Sequence, residues 1–324
     1  MTAAEPIDLL LPKAIQPSVI EALSGAFRLH RLDEAQGRDA FLGEIGPRIR
    51  GIAAASQAPV DAEFLARLPA LEVIASFGVG YDTIDVAAAA ERGIVVTHTP
   101  GVLDEEVADL ALGLLLSTVR QIPQADRHLR DGRWPERSFR LTTTLRGRRV
   151  GILGLGRIGW AIARRLQGFG VEIAYHGRRR QEGVGYAYHP TLLGLAEAVD
   201  VLIVVAPGSA ETRNLVDAAV LAALGRDGIL INIARGSVVD EGALVAALKD
   251  GTILSAGLDV FAHEPQVPPE LVALDQVVLL PHVGSGTHHT RAAMGQLVVD
   301  NLLSWFDGRG PLTPVPETPW KGRT

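Results

Sequence analysis

Three residues able to handle a carboxylate and a proton each follow a strand-like apolar run late in the sequence. Arg235 follows ILINIA, Glu264 follows AGLDVFAH and His282 follows VVLLP. Parallel α/β sheets bind ligands outside the carboxyl ends of their strands, so three such ends side by side define a place for chemistry. A guanidinium fork suits a carboxylate and polarises an adjacent carbonyl oxygen. A histidine donates a proton to that oxygen and takes it back in the reverse direction. A carboxylate at the second ring nitrogen orients the imidazole and favours its protonated form. Together these roles fit hydride transfer to a 2-oxo acid, in which a carboxylate and a ketone are neighbours. Taken singly, an arginine or glutamate after a strand is commonly a surface residue and a histidine is commonly structural. Convergence carries the reading.

A hydride needs a carrier, and the sequence offers a place for one. Gly154, Gly156 and Gly159 in VGILGLGRIG satisfy G-x-G-x-x-G between a strand-like run and a helical one. The three glycines permit a tight turn, close approach to a pyrophosphate and close helix–strand packing, and the helix N-terminus adds free N–H groups. The next run, VEIAYHG, has no acid at its end to take the ribose 2′-hydroxyl of NAD. Arg178, Arg179 and Arg180 stand there instead. Guanidinium groups suit a 2′-phosphate, so NADP is the expected cofactor and NAD a weaker one. Arg178 and Arg179 are the expected contacts, ahead of Arg180. The competing reading of the three is a solvated basic loop. Asp259, at the end of AGLDV, is open as a nicotinamide-amide contact or as a turn cap.

The elements that must position these residues alternate between β-rich and Ala/Leu-rich stretches, the pattern of a parallel α/β fold. Ten strand-like runs are visible, over 7–12, 52–56, 71–77, 93–99, 148–156, 171–177, 199–207, 228–234, 253–260 and 277–284. Most are nearly continuous Val/Ile/Leu, as strands covered on both faces require. Helical spacing covers 104–122, which opens with three acids, and 157–170, 237–251 and 287–308. The Pro-rich end, PLTPVPETPWKGRT, reads as an extended arm. Hinges are expected at 97–101 and 282–287.

With 324 residues, the chain has material for about two domains at ~150 residues each. It is 47% hydrophobic, which excludes a disordered chain, and the absence of cysteine excludes disulfides and thiolate chemistry. A net charge of −6 argues against nucleic acid as the main partner. The N-terminal run lacks a basic start and reads as a strand. No stretch reaches the ~20 apolar residues of a membrane span. A soluble cytoplasmic protein is expected, with no membrane partner and no metal: His282, His288 and His289 have no acidic ligand nearby in sequence.

The chain resembles the D-isomer-specific 2-hydroxyacid dehydrogenases. The resemblance is carried by FGVGYDTID (77–85), VTHTPGVLDEEVADLALGLLL (96–116), GILGLGRIGWAIARRLQGFG (151–170), INIARGSVVDEGALVAALKDG (231–251), AGLDVFAHEP (256–265) and LPHVGSGT (280–287). It implies two Rossmann-like α/β domains with parallel sheets and a cleft between them. One is a split, flavodoxin-like substrate-binding domain of residues 1–98 and 286–324. The other is a dinucleotide-binding domain of residues 99–285. It implies a homodimer, and it places the catalytic trio on Arg235, Glu264 and His282. Substrate carboxylate would meet the backbone N–H groups of the loop Phe77–Gly80, Val79 and Gly80 among them. Cofactor contacts fall on Leu155, Gly156, Arg157, Ile158, Pro207, Thr212, Ile233, Ala234 and Asp259, with His282 and Gly284 beside them. Trp134, in DGRW, is open between a place near an active site and dimer packing.

Within the family, YHGRRR and DGRW resemble the glyoxylate/hydroxypyruvate and hydroxyphenylpyruvate reductase branch. NADPH-dependent reduction of a small 2-oxo acid to the D-2-hydroxy acid is the implied activity. A larger aromatic 2-oxo acid and a non-catalytic, dinucleotide-sensing corepressor are the alternatives. Glu264 counts against a formate dehydrogenase, and ASFGVG lacks the lysine of a phosphite dehydrogenase. The chain departs from the family at His98, where asparagine is common, at TTTLRGRRV, and at His288 and His289.

Overall fold

Residues 5–55, 57–320 and 322 are described by a computed structural model. The chain divides into two compact units. One combines residues up to Leu103 with those from Thr287 onward, and the other spans Asp104–Gly286.

The first unit holds five parallel strands: β1 (Asp8–Leu11), β2 (Arg28–Arg31), β3 (Gly51–Ala55), β4 (Val73–Phe77) and β5 (Val95–Thr97). Their order is β2-β1-β3-β4-β5. Leu10, Ile52, Ile74 and Val96 share one core. The Pro-rich segment, expected as an extended arm, runs through bends and a turn between Pro311 and Trp320 and is docked. Val315 is fully buried in the same core and its N–H donates to Val96 O at 2.9 Å, while Pro314 bridges Thr97. The helix His288–Phe306 packs against β4 and the helix Pro17–Ala26.

The second unit holds seven parallel strands: β6 (Arg149–Leu153), β7 (Glu172–His176), β8 (Ala187–Tyr188), β9 (Val201–Val204), β10 (Ile229–Asn232), β11 (Ser255–Leu258) and β12 (Val277–Leu279). The order β12-β11-β10-β9-β6-β7-β8 reverses direction at β6, so a crevice opens between the ends of β6 and β9. Leu153 pairs with His176 on one side and Val204 on the other.

The ten runs visible in the sequence correspond to ten of these strands. β2 (RLHR) and the two-residue β8 are not among them. Both lie at sheet edges, where one neighbour suffices and a polar, half-exposed sequence is tolerated. The long acidic-started helix ends at Arg120. Gln121 takes a left-handed conformation (φ 50°) and a second helix, Ile122–Arg130, starts afresh with a proline in its first turn. The acids that open the long helix do more than face its dipole. Asp104 accepts from Arg157 Nε at 2.8 Å, Glu105 from Arg164 and Arg165, and Asp109 from Arg165 at 2.6 Å. They lace this helix to Arg157–Gln167, the helix that follows the glycine-rich turn. Among the described residues no helix is long and apolar enough to cross a membrane.

Candidate active site

The glycine-rich turn is shaped by two steric demands. Gly154 has φ 99°, and a Cβ there would lie 3.0 Å from the backbone N of Ala206. A Cβ on Gly159 would overlap Gly154 O, so the helix approaches the strand closely only with glycine there. Gly156, at the helix N-cap, faces open space where a Cβ would project. The first-turn N–H groups, including those of Arg157 and Ile158, have no intrahelical acceptors. This concave, donor-lined turn at the sheet's switch point fits a dinucleotide pyrophosphate. Leu155 is buried beside it.

The arginine loop is fixed to this turn at both ends. His176 O accepts from Gly154 N at 2.9 Å, and Gln181 Nε2 donates to Leu155 O at 2.7 Å. Gln181 also donates its N–H to Tyr175 Oη, and its Oε1 accepts from Trp160 Nε1. Arg178, Arg179 and Arg180 between these anchors are exposed and make no ion pair among the described residues. Gln181 was not singled out from sequence, because a lone amide after a basic run carries no pattern.

The turns after β9, β10, β11 and β12 are each closed by a side chain. After β9, Thr212 Oγ1 donates to Pro207 O at 2.7 Å and accepts from Ser209 N. After β10, the buried Asn232 accepts from Ala234 N and donates to Arg235 O at 3.0 Å, setting the backbone from Ile233 to Arg235. Asn232 escaped the sequence reading because it sits inside an otherwise apolar strand. Arg235 Nη1 donates to Ala234 O at 2.8 Å.

After β11, the Glu264 carboxylate accepts from Phe261 N at 3.1 Å through one oxygen and meets His282 Nδ1 at 2.7 Å through the other. Burial pushes the Glu264 carboxyl up, but the hydrogen bond and charge of His282, the Phe261 N–H and the charge of Arg235 outweigh it. The net direction is below the usual carboxylate range. Glu264 is therefore an acceptor, His282 Nδ1 carries a hydrogen, and Nε2 is the nitrogen left for chemistry.

His282 itself is held in a left-handed conformation, φ 52°. Asp259 accounts for it. Its backbone O accepts from His282 N at 2.8 Å, Oδ1 from Val283 N at 2.7 Å, and Oδ2 from Gly284 N at 2.8 Å. Of the two openings left for Asp259, the turn cap is the role seen here. Burial is the largest influence on its carboxyl and pushes it up, against the two N–H groups and the His282 charge.

Arg235, Asp259, Glu264, His282, Gly284 and the cofactor-contact positions all belong to the second unit, whereas Val79 and Gly80 belong to the first. Trp134 is 65% exposed, in the turn after the helix Ile122–Arg130.

This arrangement defines a dehydrogenase. Residues 112–284 match the family model described as D-isomer specific 2-hydroxyacid dehydrogenase, NAD binding domain. The chain belongs to the D-isomer specific 2-hydroxyacid dehydrogenase family. It is similar to a glyoxylate/hydroxypyruvate reductase A of Arabidopsis thaliana, 45% identical over 96% of this chain and 99% of the relative. It is also similar to a hydroxyphenylpyruvate reductase of Plectranthus scutellarioides, 44% identical over 96% of this chain and 99% of the relative. Among solved structures, it is similar to an NADPH-dependent glyoxylate/hydroxypyruvate reductase from Sinorhizobium meliloti in complex with NADP and malonate. The match has 52% identity and a TM-score of 0.93, over 99% of this chain and 100% of that one.

Asp259→Ala would leave the N–H groups of Val283 and Gly284 without an acceptor. The expected loss of unfolding free energy is roughly 2–6 kcal/mol, at about 1–3 kcal/mol for each of the two orphaned donors. Urea denaturation monitored by fluorescence measures it.

Proposed function

We propose that the protein reduces small 2-oxo acids, glyoxylate and hydroxypyruvate first, to 2-hydroxy acids with NADPH, as the D-isomer where the product is chiral. The observation that carries this reading is the 2.7 Å His282–Glu264 pair, with the charge of Arg235 acting on it. The similarity to reductases named for glyoxylate and hydroxypyruvate supports the substrate class. NADPH, when bound, supplies the hydride that the keto carbon receives. Arg235 binds the substrate carboxylate and draws electron density toward the keto oxygen. His282 gives the proton on Nε2 to that oxygen as the carbon gains the hydride, so the carbonyl becomes an alcohol and the ring becomes neutral. Glu264 keeps the ring aligned and stabilises its charge before transfer. Val79 and Gly80 offer backbone N–H groups to the carboxylate.

For the cofactor, we assign the pyrophosphate to the turn Gly154, Leu155, Gly156, Arg157, Ile158 and Gly159. The 2′-phosphate goes to Arg178 and Arg179. Pro207, Thr212, Ile233, Ala234, Asp259, His282 and Gly284 border the remainder. In domain terms, residues 1–98 and 286–324 bind substrate and residues 99–285 bind the dinucleotide. We place the protein in the cytoplasm.

Initial rates at 340 nm with each cofactor test the proposal, using glyoxylate, hydroxypyruvate, pyruvate and 4-hydroxyphenylpyruvate. The expected result is a strong NADPH preference with a small 2-oxo acid best. Arg178→Ala removes a charge-assisted hydrogen bond to the 2′-phosphate and is expected to raise the NADPH KM about tenfold or more. Equal use of NADH would defeat the arginine assignment, and a clear preference for 4-hydroxyphenylpyruvate would defeat the small-substrate one.

The pH profile tests the proton donor. Reduction takes up one proton per turnover, so its rate is expected to decline at alkaline pH. Glu264 holds the donor ring through the 2.7 Å contact, so Glu264→Gln is expected to alter that alkaline limb and to lower kcat/KM. An unmoved limb would separate Glu264 from the acid–base step.

A homodimer is part of the same proposal. Ile122, Leu129, Trp134 and Leu141 are exposed large apolar residues within about twenty positions of one another, apolar area that a second copy would cover, Trp134 included. Equilibrium sedimentation is expected to give twice the chain mass; a monomer at micromolar concentration would reject it.

A further inference from the structure

His98, the histidine in place of the family's common asparagine, is not used by the mechanism above, yet it is tied to the segment that carries Val79 and Gly80. Its ring Nδ1 lies 2.9 Å from Val79 O. A carbonyl only accepts, so Nδ1–H is the donor. The next residue repeats the contact through its backbone: Thr99 N donates to Gly78 O at 2.9 Å. Two consecutive carbonyls of the loop are thus drawn toward residues 98–99.

Peptide geometry turns this into a statement about the amides. In a planar trans peptide the N–H of each residue points opposite to the preceding C=O. The only cis bond among the described residues is Glu264–Pro265. With Gly78 O and Val79 O drawn toward residues 98–99, the N–H groups of Val79 and Gly80 both point away from them. Neither N–H has a partner among the described residues, and both residues are only half-buried.

The His98 ring is itself held. It stands edge-to-face against Tyr81 with centroids 5.5 Å apart, and the Tyr81 hydroxyl donates to Glu317 at 3.1 Å. Burial, then Glu317, pushes the Tyr81 phenol up to about 12, so it remains a donor. The His98 backbone is fixed at both ends by Thr313, whose O accepts from His98 N and whose Oγ1 donates to His98 O at 2.6 Å.

We infer that His98 is a positioning residue that aims the Gly80 N–H, and with Thr99 the Val79 N–H, as a paired donor for the carboxylate of a 2-oxo acid. This rests on the reading of Val79 and Gly80 as substrate donors. Thr99 contributes through backbone that every residue possesses; His98 supplies the one side chain of the clamp. Asparagine would place an amide N–H where Nδ1 now stands.

The test compares the full-length protein with His98→Ala, His98→Phe and His98→Asn. Thermal unfolding is checked first. Phenylalanine keeps a ring against Tyr81 without the donor and serves if the alanine variant does not fold. KM and kcat are measured for glyoxylate and NADPH, and malonate binding to the NADP-loaded protein is measured by calorimetry. Removal of the donor is expected to raise the glyoxylate KM and the malonate Kd together, by about tenfold, with kcat and the NADPH KM within about twofold of the unmodified protein. His98→Asn is expected to restore both constants. Unchanged constants, an equal rise in the NADPH KM, or no rescue by asparagine would overturn the inference. If the unmodified protein turns over no 2-oxo acid, the proposed function fails. The clamp is then judged on malonate alone: a raised Kd upholds it and an unchanged Kd rejects it.

Discussion

The Asp259 carboxylate holds the geometry of the candidate active site. A left-handed backbone at a non-glycine residue costs energy and persists only where the surroundings over-determine it. Here one side chain and one carbonyl take three successive N–H groups, from His282, Val283 and Gly284. That arrangement turns the His282 ring so that Nδ1 faces Glu264. Glu264 is in turn seated by Phe261 N, two residues beyond Asp259. The proposed proton donor, the acid that meets its ring and the residue that shapes their turn therefore come from only two strand ends, β11 and β12. Burying a carboxylate is unfavourable, and the direction of the Asp259 shift records that cost. The N–H groups offset it by replacing the water it has given up.

Charge is distributed with similar economy in the second unit. Arg157, Arg164 and Arg165 are occupied by the acids that open the neighbouring helix. Exposed pairs of this kind add little stability each, but they fix the azimuth of the helix that starts at the glycine-rich turn. Arg178, Arg179 and Arg180 make no such pair among the described residues and stand on a loop whose ends are pinned by His176 and Gln181. The same residue type thus serves as a fastener in one place and as an available cation in another. Local hydrogen bonding decides which.

The sequence makes some of this legible and hides the rest for physical reasons. Glycine spacing is readable because each glycine answers a local steric demand, as Gly154 and Gly159 do. Arg235, Glu264 and His282 are readable because parallel strands place their carboxyl ends together. The edge strands β2 and β8 are not readable, since RLHR and AY lack the apolar signature that burial on both faces imposes. Asn232 and Gln181 act through backbone groups of other residues, and such partners are set by folding rather than by neighbours in sequence. Asp259 is readable only to an alternative, because a carboxylate after a strand suits a ligand contact and a turn cap equally. His98 stands out in the sequence as a departure; its partner carbonyl appears only in three dimensions.

The first unit is assembled from both ends of the chain, whereas the second is one continuous segment. A polypeptide leaves the ribosome N-terminus first. Residues 104–286 are all present before the helix His288–Phe306 exists, and that helix covers β4 and the helix Pro17–Ala26. Until it arrives, the first sheet is synthesised in full yet β4 lacks the helix that packs against it, and Val96 waits for Val315. During synthesis, then, the two units meet different conditions. One can close on itself as soon as its last strand emerges, and the other must keep exposed apolar surface from associating wrongly while the remaining chain is made.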